Sequence, residues 1–306
     1  MKISVIGAGN VGSLTALRLA QDGAGDILLV DIVKGLAQGK AFDLEDARYP
    51  LQNNYRLEGT DDISRIKDSD LIVITAGLAR KPGMTREELL NKNAGILKEI
   101  CLNIKKLAPQ SILIEVTNPL DLMTRFVLKA TGFSPSRVLG MGVSLDAARF
   151  ANLIAAELNV PVTDVEAFVI GSHGEGMLPL ARVTNIKGVS LEEKLDKGKI
   201  EGLVKKTINR GAEIVSLLGS GSAYFAPSAA ISDIVQAITK DQKRTIGVSA
   251  YLNGEYGIKD VCIGTLCSIG RQGIEKIIEI SLQKDESEAL LSCAANLKVQ
   301  YSNITV

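Results

Sequence analysis

Lys2-Ile3-Ser4-Val5-Ile6-Gly7-Ala8-Gly9-Asn10-Val11-Gly12 carries a short, β-branched apolar run into a glycine-rich turn and then into residues with helical spacing. Strand, turn and helix in that order are the context that a dinucleotide fingerprint requires of a Gly-x-Gly-x-x-Gly motif. Gly7 permits a tight turn, Gly9 lets the backbone approach a pyrophosphate, and Gly12 allows the helix to pack closely on the strand. Asn10 and Val11 lie at the helix N-terminus, which offers amides to phosphates. Glycine turns are common, so the motif gains weight from Asp31 at the end of the second apolar run. The fold places an acid there, about 20 residues on, against the ribose hydroxyls. A carboxylate repels a 2′-phosphate, which favours NAD over NADP, although Lys34 is a nearby cation of opposite effect.

Outward from that stretch the same rhythm continues. Lys2 to Ile6, Asp26 to Val30, Asp70 to Thr75, Ser111 to Val116 and Arg137 to Leu139 are short apolar runs, with Tyr55 to Glu58 a weaker one. Val11 to Gln21, Gly35 to Ala47, Arg86 to Leu107 and Leu120 to Lys129 carry helical spacing. Near-continuous apolar strands separated by helices predict an α/β protein whose N-terminal part, residues 1–142, is a doubly wound parallel sheet, the Rossmann arrangement. After Gly142 the pattern changes. Helices at Leu145 to Leu158, Lys197 to Leu218 and Asp285 to Tyr301 mix with strands at Asp164 to Ile170, Ala181 to Ile186, Tyr251 to Tyr256 and Asp260 to Ser268. This predicts a C-terminal mixed α+β domain over residues 143–306, with no internal repeat or flexible linker.

Composition narrows the partners. Thirty-five basic and thirty-five acidic residues among 306 give no net charge and no long block of one sign, which argues against a nucleic-acid surface and for a small-molecule partner. No segment approaches the roughly 20 apolar residues of a membrane span. The apolar run near Lys2 is interrupted by glycines and polar residues and lacks the pattern of a cleaved leader. Cys101, Cys262, Cys267 and Cys293 show neither metal-finger nor disulfide-framework spacing. A cytoplasmic protein with no metal site is expected.

Six further positions carry chemistry. His173 is the single histidine, in the turn Gly171-Ser172-His173-Gly174-Glu175-Gly176, and histidine alone titrates near neutrality without perturbation. A lone histidine is more often a satisfied structural residue than a catalyst, so its neighbours decide. Asp146 and Arg149 are three apart on one helix and share a face, where they could form a surface ion pair. Thr85 and Glu88 have capping-box spacing, which puts Arg86 in a first turn where a cation opposes the helix dipole. Arg80 precedes Pro82-Gly83 in a loop, and Asn118 stands in Thr117-Asn118-Pro119 at the ligand-binding end of a strand.

Taken in order, these motifs resemble the lactate and malate dehydrogenase family over nearly the whole length, and within it the malate-specific members built on the lactate-dehydrogenase plan. The stretches that carry the resemblance are Gly7 to Gly12, Arg80-Lys81-Pro82-Gly83-Met84-Thr85-Arg86, Thr117-Asn118-Pro119, Leu145-Asp146-Ala147-Ala148-Arg149-Phe150, Gly171-Ser172-His173-Gly174 and Gly219-Ser220-Gly221-Ser222-Ala223-Tyr224. The resemblance implies an NAD-dependent oxidoreductase interconverting malate and oxaloacetate, a tricarboxylic acid cycle reaction. His173 is then the acid/base and Asp146 the carboxylate that orients it. Arg149 clamps the C1 carboxylate, Arg86 and Asn118 polarise the reacting C–O bond, and Arg80 meets the second carboxylate. The resemblance also implies Gly7, Gly9, Asn10, Val11, Gly12, Asp31, Asn93, Thr117 and Asn118 at the cofactor, and a homodimer or homotetramer. Two positions depart from the family pattern: Glu175 replaces the usual aspartate, and Ala151 stands where an arginine often follows Phe150.

Two other readings stay open on the sequence. A lactate or other 2-hydroxyacid dehydrogenase would share every residue above except Arg80. A non-catalytic NAD-binding redox sensor would have no reason to bring Asp146, Arg149 and His173 together. An NAD-dependent glycosidase of related fold needs metal ligands, and His173 has no cysteine near it in sequence.

Overall fold

Six parallel strands form the first half of the molecule: β1 (Lys2–Ile6), β2 (Asp26–Val30), β3 (Leu57–Thr60), β4 (Leu71–Ile74), β5 (Ile112–Glu115) and β6 (Val138–Gly140). The computed structural model describes residues 1–78, 84–219 and 221–305, with Arg86 described by its backbone alone. The strands lie in the order β3-β2-β1-β4-β5-β6, with Ile3 opposite Ile27 on one side and Leu71 on the other. Alternate residues feed two cores, because successive side chains leave a strand on opposite faces. Ile3, Val5, Leu29, Val73 and Ile114 meet Ala16 and Leu19 of α1 (Asn10–Gln21) and Ala37 and Ala41 of α2 (Leu36–Asp46), which is followed by the short α3 (Arg48–Leu51). Ile6, Leu28, Ile72, Ile74 and Leu113 meet Leu97 and Cys101 of α4 (Arg86–Leu107) and Met123 and Val127 of α5 (Leu120–Thr131). Burial on both faces is why these strands read as continuous apolar runs rather than alternating ones.

The second half adds α6 (Val143–Leu158), β7 (Val165–Glu166), β8 (Val169–Gly171), β9 (Met177–Pro179), β10 (Asn185–Ile186), β11 (Val189–Ser190), α7 (Leu191–Lys194), α8 (Lys197–Leu218), α9 (Phe225–Thr239), β12 (Arg244–Asn253), β13 (Lys259–Gly270), β14 (Gly273–Ile278) and α10 (Lys284–Tyr301). Its strands do not form an independent layer. β12 pairs antiparallel with β6 through Ser249 and Gly140, β13 pairs with β12, and β8 and β9 follow, so one eleven-stranded sheet runs through the molecule. The strands β7, β10 and β11 make a separate three-stranded sheet.

Several expected elements differ. The strand expected from Asp164 to Ile170 divides into β7 and β8, in different sheets. Of Ala181 to Ile186, residues 181–183 form a 3-10 turn and only Asn185–Ile186 is strand. The strand expected from Tyr251 to Tyr256 begins at Arg244 and stops at Asn253, because Gly254 and Tyr256 take positive φ values of 150° and 52° and turn the chain. Gly247 and Ser249 hid that earlier start: the sheet packs so closely that a Cβ on Gly247 would lie 3.2 Å from Val143 Cγ2. α9 and β14 were not anticipated. Pro227 disguises α9, yet it occupies the first turn, where a helix does not need its N–H.

A carboxyl group enters the core at the end of β5. Glu115 is fully buried; its Oε1 accepts the Thr117 N–H at 2.6 Å, and its Oε2 has no partner among the described residues. Burial pushes this carboxyl up to about 8, against the pull of hydrogen bonds from Thr117 and Val116. The folded-state value lies above the unfolded one, so the stabilisation is complete below the ordinary 4.5 and is lost as pH rises through 8. Glu115→Gln keeps an acceptor for Thr117 and removes the titration. Its stability relative to the parent should rise by roughly 2–3 kcal/mol between about pH 6 and pH 8. Urea unfolding at both pH values measures this, and a pH-independent difference would refute it.

Candidate active site

The strand order reverses between β1 and β4, and open α/β sheets bind ligands in the crevice at such a point. Gly7 has φ of 106°, and a Cβ there would lie 2.8 Å from Thr75 Oγ1 and the Ala76 nitrogen. A Cβ on Gly12 would fall 1.8 Å from the Gly7 carbonyl oxygen, so α1 can approach β1 only with glycine here. Gly9 is the opposite case: it has open space within 4 Å, it is exposed, and it caps α1 without a side chain. Two glycines hold the turn tight and the third leaves its outer face clear above a helix N-terminus, which fits a pyrophosphate. Asp31 lies beside it, its Oδ2 accepting the Ala8 N–H at 2.6 Å and its Oδ1 the Val33 N–H at 2.9 Å. The carboxylate is thereby fixed at the end of β2, and each oxygen keeps acceptor capacity for ribose hydroxyls. Lys40, which sequence reasoning did not single out, donates from Nζ to the Ala8 carbonyl at 2.5 Å.

The far wall of the crevice is set by the ends of β4 and β5. Asn93 on α4 has no exposed surface. Its Oδ1 accepts the Leu78 N–H at 2.8 Å, and its Nδ2 donates to the Leu78 and Asn118 carbonyls at 3.3 and 2.7 Å. It clips the two loops together. Thr117 Oγ1 donates to the Ala76 carbonyl at 2.9 Å, a second tie between the same loops. Asn118, exposed and joined to Pro119 by a cis peptide bond, faces a cavity of about 730 Å³.

His173 lies on that same cavity, together with Glu87, Glu175, Cys293 and Asn296. It occupies the turn between β8 and β9, closed by the Ser172 N–H on the Gly176 carbonyl at 3.1 Å. The ring Nδ1 is 2.8 Å from Asp146 Oδ2, and Arg149 Nη1 donates to Asp146 Oδ1 at 3.2 Å. The pair Asp146 and Arg149 therefore exists, but it is not a surface pair: Asp146 is 0% exposed and the Arg149 side chain 12%. A carboxylate only accepts, so Nδ1 carries the proton and Nε2 is the ring nitrogen left for a substrate. Burial alone would depress the imidazole. The Asp146 charge and hydrogen bond, with the charge of Asp121, outweigh it and hold His173 above its ordinary 6.5, while Arg149 opposes them. Arg149 Nε is buried with no partner among the described residues, an unspent donor suited to an anionic ligand.

α4 begins with the expected capping box, Thr85 Oγ1 accepting the Glu88 N–H at 3.1 Å and Glu88 Oε2 the Thr85 N–H at 2.9 Å. Arg86 is thereby the first helical residue. Its side chain, Arg80 and Ser220 lie outside the described residues. Glu175 is exposed at the tip of the histidine turn. Asp121 was missed entirely: buried in the first turn of α5, it accepts the His173 backbone N–H at 2.8 Å and the Ser249 hydroxyl at 2.6 Å. Its place in a first turn is one that the helix dipole alone accounts for, so nothing local marks it. Among the described residues, no three His, Cys, Asp or Glu side chains gather as metal ligands would.

Residues 1–140 match the family model described as lactate/malate dehydrogenase, NAD binding domain, and residues 143–305 the one described as lactate/malate dehydrogenase, alpha/beta C-terminal domain. The malate dehydrogenase of Methanosarcina acetivorans is 48% identical over 305 residues, covering 100% of this chain and 99% of that relative. The apo malate dehydrogenase of Picrophilus torridus matches with a TM-score of 0.95 and 43% identity over 98% of this chain and 96% of that one. A lactate dehydrogenase of Cryptosporidium parvum, solved with lactic acid and β-nicotinamide adenine dinucleotide, matches with a TM-score of 0.94 and 35% identity, covering 98% and 96%. With two family models in tandem and identity near one half along the full length, the chain belongs to the lactate/malate dehydrogenase family.

Proposed function

We propose that this protein is an NAD-dependent malate dehydrogenase, with residues 1–142 as the cofactor domain and 143–306 as the substrate domain. The observation that carries the reading is the buried Asp146 carboxylate shared between His173 Nδ1 at 2.8 Å and Arg149 Nη1 at 3.2 Å, beside a crevice shaped for a dinucleotide. A sensor that only bound the cofactor would gain nothing from that arrangement. Bound NAD supplies the acceptor for the electron pair that leaves the substrate carbon, and its reduced form supplies the pair in the reverse direction. Every other part of the reaction falls to the chain.

His173 takes the malate hydroxyl proton on Nε2 and returns it to the oxygen of oxaloacetate in reverse. Asp146 holds the ring in the tautomer that exposes Nε2 and stabilises the imidazolium, as an Asp does behind a His in a hydrolytic triad. Arg149 grips the C1 carboxylate through its planar fork, for which the unspent Nε is available. Asn118 and Arg86 donate to the oxygen of the reacting C–O bond. Gly7, Gly9, Asn10, Val11, Gly12 and Asp31 hold the cofactor. Asn93 and Thr117 shape its pocket by pinning the loops that carry Leu78 and Asn118.

Substrate choice rests on Arg80. The fold itself is shared with a lactate dehydrogenase at a TM-score of 0.94, so architecture does not separate one carboxylate from two. A second cation in the loop suits the second carboxylate of oxaloacetate, whereas pyruvate would leave it unpaired. The cytoplasm and the tricarboxylic acid cycle are the setting we infer. Four free cysteines support a reducing compartment. A homodimer or homotetramer is supported by large exposed apolar side chains on several helices, Phe42 on α2, Tyr49 on α3, Leu217 on α8 and Phe225 on α9.

An NADH-oxidation assay with oxaloacetate and pyruvate tests the reading. Oxaloacetate should be strongly preferred, and His173→Asn should lower its turnover by about a hundredfold to ten-thousandfold. Arg80→Gln should cost about a hundredfold or more in kcat/KM for oxaloacetate and shift relative preference toward pyruvate. Unchanged oxaloacetate kinetics in that variant would remove Arg80 from the account.

The raised His173 pKa gives a second test. Oxaloacetate binds the protonated ring and malate the neutral one, so oxaloacetate affinity should fall by about tenfold per pH unit above that pKa and malate affinity by the same factor below it. Binding titrations in the presence of the matching cofactor form measure both, and parallel responses would count against His173 as the acid/base.

A further inference from the structure

Asp121 joins three elements that are far apart in sequence. Its Oδ1 accepts the hydroxyl of Ser249 on β12 at 2.6 Å, and its Oδ2 accepts the backbone N–H of His173, in the turn after β8, at 2.8 Å. The proton transfer assigned above makes no use of it. We propose that Asp121 is a positioning residue for His173: anchored by Ser249, its carboxylate fixes the main chain at the histidine and sets a second negative charge beside the imidazole, in addition to Asp146. The inference rests on His173 being the acid/base of the dehydrogenase, but its first test needs no turnover.

The choice of an acid is informative. An asparagine would satisfy the same two neighbours, its oxygen accepting from His173 and its amide donating to Ser249, without a buried charge. Burial pushes the Asp121 carboxyl up to about 6, and the nearby Asp146 charge adds to that, while the bonds from Ser249 and His173 and the imidazolium charge pull it down. What the carboxylate adds over an amide is its charge, and the group that receives the charge is His173. The groups facing that ring are Asp146 and Arg149 from α6, Asp121 from α5, Glu87 from the first turn of α4 across the cavity, and Glu175 in its own turn, with Cys262 of β13 near Asp121. Asp146 divides its charge with Arg149, which itself opposes protonation of the ring. Asp121 has no cation as a hydrogen-bond partner among the described residues; both its bonds come from a hydroxyl and a backbone amide. Its charge therefore acts on the imidazole undivided.

Because the chain has one histidine, the ring signal of His173 in a ¹H–¹³C spectrum needs no assignment. In Asp121→Asn the titration midpoint of that signal should fall by about half a pH unit or more. The alkaline limb of the pH profile for oxaloacetate reduction should move to lower pH by the same amount, with NADH affinity unchanged. Asp121→Ala, which also loses the acceptor, should lower kcat by about tenfold or more, and the asparagine should restore most of it. Ser249→Ala touches neither His173 nor the Asp121 backbone and should move the midpoint in the same direction by less; it carries the test if the Asp121 variants do not fold. An unchanged His173 midpoint in folded Asp121→Asn, or in Ser249→Ala where the asparagine variant does not fold, overturns the proposal. A parent protein inactive on oxaloacetate would instead overturn the dehydrogenase reading and leave the titration to decide the role of Asp121.

Discussion

Asp146 has no exposed surface, and its carboxylate is divided between an imidazole and a guanidinium that compete for it. A bare carboxylate in that position would cost on the order of several kcal/mol, and the two partners offset the cost only while both remain in place. The arrangement follows from one short segment. Asp146 and Arg149 are three apart in the first turns of α6, which fixes them on a common face. α6 itself starts at Gly142, whose φ of 26° is open to glycine and whose missing Cβ leaves room for Leu120 Cδ2 and His173 Cβ, which would lie 2.4 and 3.5 Å from it. A side chain at Gly142 would collide with Leu120, while His173 Cβ would lie at ordinary contact distance from it.

The histidine arrives from the other direction, through the sheet. β6 meets β12 at Gly140 and Ser249, β12 runs beside β13, and β13 meets β8 at Gly264 and Gly171, two residues before His173. The same sheet contains β1 and β4, whose ends form the dinucleotide crevice. The position of His173 relative to that crevice is thereby set by continuous hydrogen-bonded strands, and it does not depend on docking two separate bodies. Rigid elements hold reacting groups more closely than loops can. Here Asp121 fastens the remaining loop, the one that carries His173, to that frame.

The parts of this organisation legible in the sequence are those with short-range causes. The β1 turn, the capping box at Thr85 and the common face of Asp146 and Arg149 are each written within a few residues. The doubly wound sheet is a sum of such segments. Contacts made across the sheet left no local trace: Asp121 and Ser249 are 128 residues apart. The resemblance alone places Asn93 at the cofactor, and only the fold reveals that it spans two loops. β12 and α9 were obscured because tertiary packing overrode local propensity, at Gly247 by close approach and at Pro227 by its place in a first turn. The difference between a surface ion pair and a buried one is also invisible at that level, since spacing puts Asp146 and Arg149 together but says nothing of what covers them.

Charge balance links this buried centre to the choice of substrate. The buried ionisable groups around the ring among the described residues are Asp146, Asp121 and Arg149, and His173 becomes the fourth when protonated. With both acids ionised these two negative and two positive charges cancel, so the centre has no cation to spare for a dianion. On the proposed assignment Arg149 still grips one carboxylate and Arg80 meets the other, while Arg80 together with Arg86 at the reacting C–O bond supplies the two net positive charges that balance the dianion. A monocarboxylate would leave an excess positive charge in a closed, low-dielectric site, where an unpaired ion is most costly. Dicarboxylate preference is then a property of the whole charge set rather than of Arg80 alone, and Asp121 belongs to it: neutralising that acid makes the site more positive while making His173 easier to deprotonate.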